Sequence, residues 1–192
     1  MKEGPETDTY SPLPSRIKKF TPESHQNLEN LGYLIYTLTG QSILNLQEAG
    51  RKFWTNWGNN HQFEIVCSRL SEVAINPNRL FLPQSNNKAY YQQDSMVKVF
   101  SQRLAKKFFR VRAIIGEAAD YAELTYLHLD TTHDGLFGDK YGCDYTRTKT
   151  FTVGSLGVIV GDFGSDRGLG VERCAIDEGA STLWVAPLII PV

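Results

Sequence analysis

Between residues 21 and 120 the apolar positions fall three and four apart, the spacing of one helix face. Thr21-Pro22-Glu23 supplies a capping hydroxyl, a proline suited to the first helical position and an acid facing the helix dipole. Leu28, Leu31, Leu34, Ile35 and Leu38 follow at helical spacing, and Gly40 closes this predicted helix. Asn45 with Glu48 resembles a capping box for a second helix, whose stripe of Leu46, Ala49, Phe53 and Trp57 stops at Gly58. A third helix is predicted over 62–74, with Phe63, Val66, Cys67, Leu70 and Val73 inward and Asn76-Pro77-Asn78 ending it. The longest is predicted over 92–119, on a seam of Val97, Phe100, Leu104, Phe108, Val111, Ile115 and Ala118.

The pattern changes after Tyr121. Residues 123–130, 149–160, 169–176 and 182–190 are rich in Val, Ile, Thr and aromatics, with Gly- and Asp-rich links between them. The expected fold is therefore α+β. A helical N-terminal half of about four helices (21–120) packs with a C-terminal antiparallel sheet of about four strands (121–192). Gly154 and Gly157 suggest a bulge or a close approach of another element. GDFGSDRGLG at 161–170 lacks the GxxxxGK[ST] pattern of a phosphate loop and reads as a hairpin between two strands. LWVAPLIIPV at the C-terminal end reads as an inner strand or as a tail added to a neighbour's sheet. Pro187 and Pro191 favour an edge position for it.

Composition places this pattern in an ordinary globular chain. The 192 residues suit one domain, and 41% are apolar against 21% charged. The first 20 residues are polar, include MKEGPETDTYSPLPS with its prolines, and are expected to be flexible, leaving 21–192 as one domain. Cys67, Cys143 and Cys174 form no CxxC pair, which fits a reducing compartment. No basic start followed by an apolar run marks a signal peptide, and LWVAPLIIPV is too short to cross a bilayer. A soluble, cytoplasmic protein without a membrane partner is the expectation.

Charge changes the picture more than composition does. The formal net charge is only −1. Residues 91–120, however, carry six basic and three acidic side chains, whereas residues 121–192 carry five basic and ten acidic. Lys98, Arg103, Lys106, Lys107, Arg110 and Arg112 lie in a stretch without a single acid. On the predicted helix, Arg103, Lys106, Lys107 and Arg110 cover an arc of about 100° beside the apolar seam. Such a stripe suits phosphates or an acidic protein surface.

HLDTTHDGLFGD at 128–139 is the segment closest to a chemical motif. Read as a strand end, it puts Tyr126, His128 and Asp130 on one face, with His133 and Asp134 in the following loop. His128, Asp130, His133 and Asp134 are then candidate metal ligands, although their spacing departs from HExxH. Asp130, Thr132, Asp134 and Gly135 fit the start of a calcium loop, which fails at Tyr141 where a glutamate is needed. The same residue types are also what a strand running into a turn uses. Three functions follow, in order. The first is a non-catalytic interaction or assembly subunit, in which the basic face and the acidic C-terminal part meet a protein partner or another copy. The second is a nucleic-acid-binding protein using the same cations. The third is a metal-assisted or acid–base hydrolase built on the His/Asp cluster. The sequence specifies no cofactor.

Overall fold

A computed structural model describes residues 17–55, 62–138, 142–152 and 154–192. Helix α1 (Pro22–Asn30) begins as its sequence dictates, with the Thr21 hydroxyl accepting from Ser24 N. It stops nine residues later. Gly32 takes φ +79°, while Gly32 N and Tyr33 N donate back to Glu29 O and Leu28 O. The residues expected to continue the helix instead form strand β1 (Leu34–Thr39). Helix α2 (Ile43–Glu48) is capped by Ser42 and Asn45, three residues before the expected box. Phe53 then lies in β2 (Phe53–Thr55), while Trp57 and Gly58 fall outside the described residues. The predicted third helix is a short 3₁₀ turn followed by β3 (Leu70–Ile75).

The long helix is also cut. Helix α3 (Tyr90–Ala105) ends well before residue 119, and the chain reverses into β4 (Val111–Ile114). Val97, Leu104, Phe108, Val111 and Ile115 still share one apolar cluster. The seam persisted in the sequence because helix and strand pack on the same core, not because the helix continues. Helix α4 (Ala118–Thr132) replaces the expected strand at 123–130. The remaining strands are β5 (Tyr145–Thr152), β6 (Leu156–Gly164), β7 (Gly168–Ala175), β8 (Leu183–Trp184) and β9 (Leu188–Pro191).

The expected division into a helical half and one four-stranded sheet is therefore wrong. Among the described residues, nine strands form two sheets and alternate along the chain with four α-helices. The first sheet has the order β1-β3-β9-β4 and the second β2-β7-β6-β5-β8. The first sheet is built from both ends of the chain, so no cut in the sequence separates a helical part from a β part.

Strand alternation builds two cores on this sheet. Val73, Ile75, Leu188 and Ile190 join a cluster with Tyr121, Leu124 and Tyr126 of α4, and with Val158, Val160 and Val171 of the second sheet. Ala74, Ile189, Val111 and Ala113 face the other way, onto Leu28 of α1 and Val97 and Leu104 of α3. The layers run α1/α3, first sheet, α4, second sheet. Strand β9 lies between β3 and β4 with every residue buried, so the edge position expected from its prolines is not found. Pro187 precedes the strand and Pro191 ends it, leaving Ile189 and Ile190 with their N–H groups in the middle.

The 161–170 segment forms the β6–β7 hairpin, where Arg167 pairs with Asp162 at 2.7 Å and lies 4.5 Å from the centroid of the Trp54 ring. Of the N-terminal segment expected to be flexible, residues 1–16 lie outside the described residues. Phe20 is buried in the core, and Lys18 N donates to Leu70 O. Among the described residues no helix is long and apolar enough to cross a membrane.

Candidate functional site

Three of the basic residues, Lys106, Lys107 and Arg110, lie at the reversal between α3 and β4. Lys106 caps α3, and the N–H groups of Lys107 and Phe108 both donate to Leu104 O. Phe108 folds under the turn into the core, whereas Phe109 is 68% exposed. Arg110 adopts φ +54°, a left-handed conformation unusual outside glycine and asparagine. Two long-range bonds pin the tip. Ser24 Oγ of α1 donates to Phe109 O at 2.9 Å, and Val192 N donates to Arg110 O at 2.9 Å. The Arg110 guanidinium stands 5.3 Å from the centroid of the Phe109 ring, in cation–π range.

These cations do not form the single helical stripe expected. Lys98 and Arg103 project from α3, Lys106, Lys107 and Arg110 belong to the turn, and Arg112 sits on β4. Arg112 points to the opposite face of that strand from Val111 and Ala113. All six are exposed. Lys98 pairs with Asp94 at 2.6 Å, one helical turn back. Arg103, Lys106, Lys107, Arg110 and Arg112 have no carboxylate oxygen within 4.0 Å among the described residues. Elsewhere acids are placed to meet cations, as in Arg51–Asp130, Arg69–Asp120 and Lys149–Glu117.

The His/Asp cluster sits at the far end of α4. His133 ends the helix in the left-handed region at φ +64°, and its N–H returns to Leu129 O. His128, His133 and Asp134 line an open cleft of about 600 Å³ together with Asn78, Phe163 and Ser165. His128 is 5% exposed, and its Nδ1 lies 2.6 Å from the Tyr36 hydroxyl. Burial pushes the Tyr36 phenol up to about 12 and pulls His128 below its ordinary value, with Asp134 opposing the latter shift. Both groups are neutral at pH 7. The phenol and Nδ1 therefore share one hydrogen bond, whose direction is set by the imidazole tautomer.

Asp130 takes no part in this cleft. In a helix, residues two apart point about 200° from each other, so the His128–Asp130 pair expected of a strand does not form. Asp130 instead pairs with Arg51 at 2.5 Å, and Arg51 stands 5.2 Å from the centroid of the Tyr126 ring. Among the described residues no three His, Cys, Asp or Glu side chains converge as a ligand set. Asp130 and Thr132 are helical, which removes the calcium-loop geometry as well; Tyr141 lies outside the described residues. What the cleft presents among the described residues is a buried, neutral imidazole hydrogen-bonded to a phenol.

Protonating His128 should cost stability, because its folded pKa is depressed and the unfolded chain binds that proton more readily. Stability is complete above the ordinary value of 6.5 and declines as pH falls below it. Urea midpoints measured from pH 8 down to 5 should show this fall, and His128→Gln should flatten it. A wild-type profile flat across that window would refute the assignment.

Sequence reasoning missed two buried acids at the other end of α4. Asp120 accepts from Arg69 N, Nε and Nη2 and from Glu117 N. Glu123 accepts from Thr39 N and Oγ1, Gln41 N and Ser68 Oγ. These bonds cap the start of α4 and tie it to the end of β1 and to the segment entering β3. Arg147 is likewise buried, with its guanidinium donating to Ala175 O and Glu178 O. Comparison of the chain with protein-family models, curated proteins and solved structures finds no match.

Proposed function

We propose that this protein is a non-catalytic interaction module that engages an anionic partner through the α3–β4 turn. One observation carries the reading. Five exposed cations fall within residues 103–112 with no carboxylate in reach among the described residues, on a turn held rigidly from both sides. Clustered like charges repel one another, and an anionic surface relieves that repulsion. A second copy would be one source of such a surface, through exposed Asp177 and Glu178. Acids of the C-terminal part are nevertheless partly satisfied internally, as Asp162 is by Arg167.

The test is salt-dependent retention on a heparin column. Wild-type protein should be retained and elute as sodium chloride screens the contacts. The triple variant Arg103→Gln, Lys106→Gln, Arg110→Asn should elute much earlier; asparagine is chosen at 110 because it tolerates positive φ. Co-elution of the two proteins at low salt would overturn the proposal.

A further inference from the structure

We infer that the anionic partner is a single-stranded nucleic acid, with Phe109 as a stacking platform and Arg103, Lys106 and Lys107 as its phosphate contacts. The inference rests on the proposed reading of the turn and adds the ring to it. Neighbouring phenylalanines part company at the tip: Phe108 is 8% exposed and Phe109 is 68% exposed. The backbone that carries the exposed ring is pinned. The Phe109 carbonyl is held by Ser24, the next carbonyl is held by Val192, and Phe108 is anchored beneath. Backbone fixed in this way has little freedom left to lose when a ligand lands on the ring.

The combination of an aromatic face with surrounding unpaired cations discriminates among polyanions. Bases of a single strand are free to stack on an aromatic side chain while cations track the backbone. The Arg110 guanidinium lies over one face of the ring, so a base would stack on the other face or on the guanidinium plane itself. A base-paired duplex keeps its bases inside the stack and would use only the cations. An acidic protein segment would likewise neutralise the cations and leave the ring in water. A membrane surface would use both ring and cations, but the exposed apolar residues fixed at this turn, Phe109 and Val192, offer little area for insertion.

The experiment is fluorescence anisotropy at low salt with four probes: a labelled short oligothymidylate, a duplex of equal length, polyglutamate, and phosphatidylserine-containing vesicles. Wild-type protein should bind oligothymidylate more tightly than the other three. Affinity should fall with salt at a log–log slope of about −0.7 per phosphate contacted, and Arg103→Gln should make that slope shallower. Phe109→Ala should weaken oligothymidylate binding roughly ten-fold while Phe109→Trp retains it. Since Phe109 is exposed, a thermal melt should find both variants folded. Oligothymidylate binding unchanged by Phe109→Ala, or equal binding of duplex or polyglutamate, or preference for vesicles, would overturn the single-strand inference and leave the anionic-surface reading standing. Failure to bind any of the four would overturn both.

Discussion

Replacing Asp120 by alanine should destabilise the fold by about 3–5 kcal/mol, the typical cost of removing one partner of a buried ion pair. Asp120 is fully buried and is the third residue of α4. Its Oδ2 accepts from Arg69 Nη2 at 2.7 Å and Nε at 3.0 Å, and from Glu117 N at 2.9 Å; its Oδ1 accepts from Arg69 N at 2.8 Å. One carboxylate thus starts the central helix and fixes the segment entering β3. Truncation would leave a largely buried guanidinium and two backbone N–H groups without acceptors, and each unsatisfied group carries its own desolvation cost. Asp120→Asn should lose less, since an amide oxygen still accepts from part of this set. Urea denaturation measures both. A loss below about 1 kcal/mol for the alanine variant would mean that water reaches these groups, contrary to the packing described.

Gly161→Ala should be at least as damaging. A Cβ at this position of β6 would come within 2.2 Å of Asp144 O and 2.5 Å of Tyr145 Cα. Overpacking ordinarily costs about 1–3 kcal/mol when side chains can move aside. Here the obstacle is the backbone of β5, so strands at the centre of the second sheet would have to separate. A drop in melting temperature of roughly 10 °C or more is expected for a chain of this size. Gly157→Ala makes a fair comparison, because at that position of the same strand the added carbon meets no atom nearer than 3.6 Å. Equal losses in the two variants would show that the close approach of β5 and β6 is not what Gly161 provides.

These two positions also show what the sequence could and could not convey. A glycine within a strand signals close approach, and that signal was placed at Gly154 and Gly157. Position 157 leaves ordinary contact distances, whereas Gly161 and Gly168 are crowded by backbone atoms. Which glycine is crowded depends on how neighbouring segments lie together, and nothing local records it. Asp120 and Glu123 were invisible for a related reason. Helix α4 is buried on almost every side, so it lacks the polar face from which a helix is read. Its Thr, Tyr and Leu residues suggested a strand instead.

Local chemistry was legible where it is self-contained. Thr21 and Pro22 start α1, and the Gly-rich 161–170 segment turns a hairpin. The short strands β1 and β3 escaped because their apolar residues also fit helical spacing over a few positions. The candidate site divides in the same way. The run of cations was plain in the sequence, and the apolar seam already placed Phe108 inward with Phe109 off it. The turn at Arg110 was not legible, because its left-handed backbone is held by Ser24 and Val192, both far away in the chain. Likewise His128, His133 and Asp134 were found as neighbours, but reading a strand for a helix paired His128 with Asp130 instead of Tyr36.

The most direct test of the anionic-surface proposal is an amide chemical-shift map of the protein titrated with a heparin-derived polyanion at low salt. The account predicts that the perturbed amides concentrate from Val99 through Arg112, with the cleft around His128 and Asp134 unmoved. Perturbations centred on that cleft, or none anywhere as the polyanion is raised to excess, would contradict it.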